Sequence, residues 1–436
     1  MTRLVQGLLL AGALVIITLW LHDGGISGVN SAATGLSSAG RLTGLLAAYL
    51  LPVQVLMLAR LPLLEWIAGF DRLTHWHKLN GKIVLYLILV HVVLITVGYA
   101  MTRKVSVLAE SSILLSQYYG IVAALVGTLL IILVVVSSLF IVRRRLRFET
   151  WYAVHLVAYA GVTLTYFHET RTGLDFIANP LAAAYWLGFY LVTLQLVIIF
   201  RILQPVFRNG FHKLRVGRVV KEPGQATSVY VTGRHLDWLN AKAGQFFIWR
   251  FATPGRVWEA HPFSLSAAPN GRWLRLTAKA VGDFTTGLNR LKPGTRVIVE
   301  GPFGSMTDDI RSRDKVALIA GGIGITPLRA LAETMTGDVV LIYRAMTDAD
   351  IVFREELDAL AEKRHFRVHY IVGDHRLPEN RDLMSPAHLR RIVPDISARE
   401  IYLCGPPAMV DAIEDGVRHL GVPDKCIHVE RFAFAT

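Results

Sequence analysis

Four histidines stand in apolar stretches, where an ionisable side chain is a functional hypothesis by default. His77 and His91 lie in one stretch, His155 and His168 in another. A single buried histidine is equally well explained by a backbone or hydroxyl partner; two pairs on two segments favour ligation. On a helix, the 14-residue separation of His77 and His91 leaves their rings ~40° apart around the axis and ~21 Å apart along it. His75 would stand ~160° from His91, so His77 is preferred. The 13-residue separation of His155 and His168 leaves ~140°, a poor match, and Gly161 between them could allow a local kink, a tightened turn or a register change. Two imidazoles per level, without carboxylate or thiolate, suit bis-histidine haem better than four-coordinate zinc. The spacing predicts two stacked haem b sites, His77 with His155 on the inner side and His91 with His168 on the outer.

A second group of motifs lies beyond residue 260. A flavin needs a flat wall, a donor near N5 and cover for its pyrophosphate. In the run His261, Pro262, Phe263, Ser264, Leu265, Ser266, Phe263, Ser264 and His261 supply these in turn, and the run is read as an FAD site; an ordinary strand end is the other reading. Gly282, Asp283, Phe284 and Thr285 follow. A helix starting near Thr285 would present N–H groups to a phosphate, although a plain capped helix fits the same residues. Directly after a predicted strand, Gly321, Gly322 and Gly324 permit close backbone approach to a diphosphate. Thr326 is expected to cap the next helix and Pro327 to take its first position. Arg344 ends another strand, as a partner for the 2′-phosphate of NADPH or as a solvated arginine. Cys404, Gly405 and Pro406 end a later one, with the thiol either near the nicotinamide or structural.

These residues need elements to carry them. Apolar runs predict spans at about 4–21, 42–59, 80–100, 119–142, 151–168 and 181–203, each near the ~20 residues that cross a bilayer. The first is read as a retained helix rather than a cleaved leader, because no small-x-small site ends it. Arg60, Arg72, Lys78 and Lys82 lie on one side of the spans, with Arg143, Arg144, Arg145, Arg147, Arg208, Lys213, Arg215 and Arg218. The opposite loops hold only Arg41, Arg103, Lys104 and Arg171. This bias places both termini in the cytoplasm. From 212 to 310, short strands between Gly and Pro turns predict an antiparallel barrel or sandwich. From 314, strands alternating with helices predict a parallel sheet. The expected molecule is a multi-domain membrane protein. A six-helix transmembrane haem bundle (1–205) precedes an antiparallel β-barrel FAD domain (212–310) and an α/β Rossmann-like nucleotide domain (314–436).

Composition agrees. Apolar residues make up 53% and charged residues 18% of 436, against ~25% charged in soluble domains, which excludes a wholly soluble or disordered chain. The net charge of +13 has its home in cytoplasmic loops, not in a nucleic-acid footprint. Two cysteines are too few for an iron–sulfur cluster or a disulfide framework.

Together with Glu300-Gly-Pro-Phe-Gly304 and the closing Glu430-Arg-Phe432, these motifs resemble the ferric reductase/NADPH oxidase superfamily in its compact bacterial form, over nearly the whole chain. The resemblance implies an oxidoreductase that passes electrons from cytosolic NADPH or NADH, via FAD and two b-type haems, to an acceptor across the membrane. That acceptor is O2, giving superoxide, with a ferric chelate as the alternative. The family also shows a 13-residue spacing on the second histidine helix. It implies that Phe432 stacks on the flavin, with Phe434 able to share the role, and that Arg41 lies near the outer haem. The oxidases carry a second histidine one turn after the outer ligand; Ile95 stands there in this chain. A nucleotide-sensing transporter or receptor is the rival of another class, and it would not need four paired histidines.

Overall fold

The computed structural model describes residues 2–139, 142, 148–173, 176, 180–254, 256–374, 376–380 and 382–431, and they divide into two compact units, Met1–Gln204 and Pro205–Thr436. The arginines at 143–147 lie outside the described residues.

The first unit is helical: α1 (Thr2–His22), α2 (Ala32–Met57), α3 (Pro62–Ala68), α4 (Phe70–Arg103), α5 (Val107–Gln117), α6 (Ile121–Ser138), α7 (Phe148–Thr172) and α8 (Pro180–Val197). Local chemistry sets the ends. Ser31 and Thr34 form a reciprocal capping box that starts α2, satisfying two N–H groups the helix leaves free. Ser106 accepts from the Ala109 N–H at 3.2 Å to start α5. Among the described residues, five helices are long and apolar enough to cross a membrane: α1, α2, α4, α6 and α8 with its continuation. Polar side chains such as His155, His168 and Glu169 keep α7 out of that set, although its 25 residues span ~37 Å. Leu10, Val93, Leu129 and Leu191 are exposed on the outside, as they are when lipid is the solvent. Tyr49 and Trp186 are buried within.

α4 is longer than the expected span at both ends, so His77 and His91 share one unbroken helix. α7 is likewise continuous α-helix through Gly161, with no tightened turn there. Gly161 instead meets Gly127 of α6: a Cβ at Gly127 would lie 2.7 Å from the Gly161 carbonyl oxygen. Two glycines thus let α6 and α7 approach backbone to backbone.

In the second unit, α9 (Gln204–His212) leads into two antiparallel sheets. One has the order β1 (Arg215–Glu222), β2 (Ala226–Thr232), β5 (Leu274–Lys279) and the other β4 (His261–Ser264), β3 (Phe246–Phe251), β6 (Val297–Phe303). Bridges Arg215↔Arg296 and Leu265↔Leu276 join them edge to edge, around a core that includes Val229, Phe247, Trp249 and Leu276. After a short helix α10 (Asp283–Gly287) comes an all-parallel sheet with order β11-β10-β7-β8-β9. Its strands are β7 (Lys315–Gly321), β8 (Asp338–Ala345), β9 (Arg367–Val372), β10 (Glu400–Gly405) and β11 (Ile427–Arg431). The helices α11 (Ile325–Thr334), α12 (Arg354–Arg364), α13 (Pro386–Ile392) and α14 (Pro407–His419) connect them. The chain moves from β7 outward to β9 and then returns to the other side of β7 at β10. That reversal makes a switch point between β7 and β10, where open α/β sheets bind ligands.

Candidate functional site

The histidines meet in pairs across α4 and α7. The ring centroids of His77 and His155 are 6.0 Å apart and those of His91 and His168 are 6.1 Å apart. His75 is exposed and takes no part. The mismatch on α7 is absorbed by the side chains. His168 turns back over its own preceding turn, with Nδ1 3.2 Å from the Thr165 carbonyl. His155 reaches sideways to Ser138 Oγ of α6 at 3.3 Å, where the Trp151 indole also donates.

On α4, the Nδ1 atoms of His77 and His91 face the carbonyls of Gln54 at 3.0 Å and Gly40 at 2.8 Å. A carbonyl only accepts, so for His77, His91 and His168 the proton sits on Nδ1 and the lone pair on Nε2. α2 presses close enough to do this because it is thin there: a Cβ on Gly44 would fall 2.6 Å from His91 Nδ1. Gln54 also donates to the His77 carbonyl at 2.9 Å and is itself held by Asn80 at 2.7 Å. Gln54 and Asn80 escaped the sequence reading, though lone amides in apolar spans carry the same signal as the histidines did.

These pairs fit the group the sequence suggested. Two imidazoles on opposite sides of one metal, each bonded at ~2 Å, put their ring centroids roughly 6 Å apart. Among the described residues no three His, Cys, Asp or Glu gather into a metal site. Each level therefore offers two nitrogens, as a metal already held by a macrocycle requires. Arg41 sits on α2 beside Gly40, and its guanidinium donates to the Asp23 carbonyl at 3.1 Å. Ile95 packs against α2 at the same level, 2.9 Å from where a Gly40 Cβ would be.

In the second unit the two flavin motifs converge. Phe284 packs against His261 at 4.0 Å with the rings tilted by 38°, and lies nearly parallel to Phe263 at 5.9 Å. Ser264 Oγ is buried with no hydrogen-bond partner among the described residues, an orphan that a ligand acceptor would satisfy. Ser266 is turned inward, bonded to Thr277 at 2.7 Å and to Arg275 Nε at 3.0 Å. Pro262 lies between in β4. A cavity of about 330 Å³ lies beside Phe284, lined by Phe251, Arg256 and Arg290. Neither arginine belongs to a motif, which is why sequence reasoning passed them over; the fold supplies the adjacency. α10 starts at Asp283, not near Thr285. Gly282 is its N-cap, and the Thr285 hydroxyl reaches back to the N–H groups of Val281 and Gly282 at 3.0 and 3.1 Å.

The Gly-rich loop and the Cys404 strand end lie side by side at the switch point, in the register Cys404↔Ala320. Gly322 has φ +52 with open space where a side chain would be, and a Cβ on Gly324 would lie 2.3 Å from the Cys404 carbonyl oxygen. Gly321 ends β7, packed against Gly405 and Pro406. The helix begins at Ile325, because a 3₁₀ turn at Gly322–Gly324 runs straight into it. Thr326 therefore donates to the Ile323 carbonyl at 3.0 Å instead of capping. Pro327 is third in the helix, still within the turn whose N–H groups have no partner. The Cys404 side chain is wholly buried, and burial pushes its thiol well above the usual range. Arg344 is buried at the end of β8, donating to the Ala345 and Ile371 carbonyls, with its pKa lowered by burial. Phe432 and Phe434 lie outside the described residues; Glu430, just before them, pairs in register with Cys404.

Known proteins share these parts. Residues 43–166 match the ferric reductase like transmembrane component, 218–307 an FAD-binding domain and 318–415 an oxidoreductase NAD-binding domain. The ferredoxin reductase component of 3-ketosteroid-9-alpha-monooxygenase from Mycolicibacterium smegmatis is 31% identical over 233 residues, covering 50% of this chain and 65% of that protein. Ferredoxin–NADP reductase B of Sorangium cellulosum is 30% identical over 188 residues, 39% of this chain and 77% of that protein. The solved cytochrome P450 reductase GcoB of Amycolatopsis aligns with TM-score 0.44 at 24% identity, covering 52% of this chain and 70% of that one. The chain spans 65% of the length of the first curated relatives it matches. With a ferric-reductase transmembrane component followed by FAD-binding and NAD-binding domains, the chain has the ferric reductase/NADPH oxidase-like architecture.

Proposed function

We propose that this chain is a transmembrane NAD(P)H oxidoreductase whose carriers are FAD and two b-type haems, with its nucleotide side and both termini in the cytoplasm. The observation that carries the reading is the double pairing of histidines at 6.0 and 6.1 Å on α4 and α7, next to matches for both a flavin and a nicotinamide domain. When bound, the flavin supplies two-electron and the haems one-electron redox chemistry, and the protein supplies position and exclusion.

The residues have these tasks. His77 with His155 and His91 with His168 would each hold one haem through Nε2, their Nδ1 partners fixing ring orientation. Ser264 offers its unspent hydroxyl to the flavin, Phe263 and Phe284 its walls, and His261 with Arg256 and Arg290 the charge for its pyrophosphate. The two antiparallel sheets, joined by their bridges, are read as the FAD barrel. Gly321, Gly322 and Gly324 give the dinucleotide a backbone bed, and Phe432 covers the flavin until nicotinamide enters. NADPH is favoured through Arg344, which must exchange its carbonyl partners for a 2′-phosphate. The acceptor is O2, a reading supported by Arg41, which follows in sequence the Gly40 whose carbonyl faces His91; the apolar Ile95 packed against Gly40 supports a ferric chelate as the second reading.

The test is a haem count with an electron-delivery assay. Purified wild type should carry two haems b per chain by pyridine haemochrome and His168→Leu about one. Anaerobic NADPH should bleach the flavin and develop the reduced haem band. Flavin that bleaches beside haem that stays oxidised would sink the reading.

A further inference from the structure

The last apolar helix outruns the bilayer. From Pro180 to His212 it is helical for 33 residues, ~50 Å against a hydrocarbon core of ~30 Å. Its final turns, α9 among them, must therefore lie in or beyond the headgroup layer.

One face of α9 is fixed to the antiparallel sheets. Asn209 exchanges two hydrogen bonds with the Val299 backbone, at 2.9 and 2.8 Å. Arg208 donates to the carbonyls of Gly301 and Leu239, and His212 Nδ1 donates to the Arg234 carbonyl at 3.0 Å. The opposite face is bare: Val206 is 67% and Phe207 71% exposed. Phe211 stacks on Phe207 at 5.9 Å and 12°, and also on His235 and Trp238 from a separate 3₁₀ turn, at 5.1 and 5.8 Å. Trp238 is 65% exposed. Two segments thus build one aromatic ledge. Exposed Lys213 and Arg234 flank it, with Asp237 the acid nearby in sequence.

A water-facing surface rarely carries so much contiguous apolar area. Aromatic rings with flanking Lys and Arg are the composition of the membrane–water interface. We propose that Val206, Phe207, Phe211 and Trp238 form an interfacial anchor that seats in the headgroup layer of an anionic leaflet. Two observations choose that occupant. The ledge is covalently continuous with a span, which delivers it to that depth, and its flanks are mainly cationic, which suits anionic lipid.

The test compares full-length holoprotein with the Trp238→Phe variant, each reconstituted into vesicles of phosphatidylglycerol and phosphatidylcholine with or without brominated acyl chains. The chain has nine tryptophans, so the readout is the difference. Bromolipid quenching should be smaller in the variant by the Trp238 contribution, and that difference should shrink by roughly half or more in pure phosphatidylcholine. Haem content and NADPH-driven flavin reduction in detergent should be unchanged, which separates this inference from the electron-transfer reading. Equal quenching in the two proteins overturns it and assigns the ledge to a protein partner or a second copy. A difference sustained in full by phosphatidylcholine overturns the anionic preference.

Discussion

A neutral imidazole has one lone pair, and a carbonyl facing Nδ1 decides where it points. For His77, His91 and His168 that rule leaves Nε2 as the atom to offer a metal, once Gln54, Gly40 and Thr165 are seen beside them; spacing alone could only pair the residues. Spacing succeeded on α4, where rings one above the other need no help. It gave a false warning on α7, because it counts Cα positions and ignores the rotamers by which His155 and His168 leave the helix. Ser264 shows what a motif can convey. The sequence marked it as a flavin donor, and the fold leaves its hydroxyl buried without a partner among the described residues. Removing that hydroxyl should cost one net hydrogen bond, so Ser264→Ala should slow flavin reduction by NADPH roughly 3–10-fold, with flavin content retained. Stopped-flow absorbance checks this; an unchanged rate would mean the hydroxyl makes no bond to the flavin.

Elements were legible where periodicity was strong and illegible where a boundary depended on tertiary contact. The helix after β7 was expected to begin at Thr326-Pro327, the usual cap-and-proline signature, yet it starts at Ile325 because the 3₁₀ turn feeds it directly. β11, with the sequence Ile-His-Val-Glu-Arg, alternates apolar and polar over only four residues, too short a run to stand out, and became visible only through its parallel pairing with β10. Gly161, noticed for its place between the two histidines, is in close contact with α6. That contact makes a prediction. A side chain at Gly127 meets the Gly161 carbonyl oxygen, a backbone atom that cannot swing aside. Gly127→Val must therefore push α6 off α7, disturbing Ser138 and with it the orientation of His155. The haem-to-flavin ratio of the purified variant should fall below roughly half of wild type, while flavin reduction by NADPH persists in the second unit. A normal ratio would show that the bundle tolerates the wider spacing.

For the whole molecule, the apolar runs set the helical first unit apart from the second, because solvent acts on every residue at once. The ties inside the second unit were invisible for the opposite reason. Arg275 on β5, 2% exposed, pairs with Glu356 on α12 at 2.9 Å, and Arg329 on α11 reaches the same carboxylate; no local pattern announces partners 81 residues apart. The acceptor is the question that only the assembled molecule answers, since delivery of electrons requires both units in one chain. If O2 is reduced beside the outer histidine pair, the nascent anion needs a cation, and Arg41 stands one residue from the carbonyl that orients His91. Superoxide dismutase should then abolish most NADPH-dependent cytochrome c reduction by reconstituted wild type. Arg41→Gln should lower superoxide output roughly 10–100-fold, the loss expected for one charge-assisted hydrogen bond, while haem still reduces fully under anaerobic NADPH. Should cytochrome c reduction ignore the dismutase, and a ferric chelate reoxidise the haem faster than air does, the apolar wall formed by Ile95 will have outweighed Arg41, and the chain is a metal reductase.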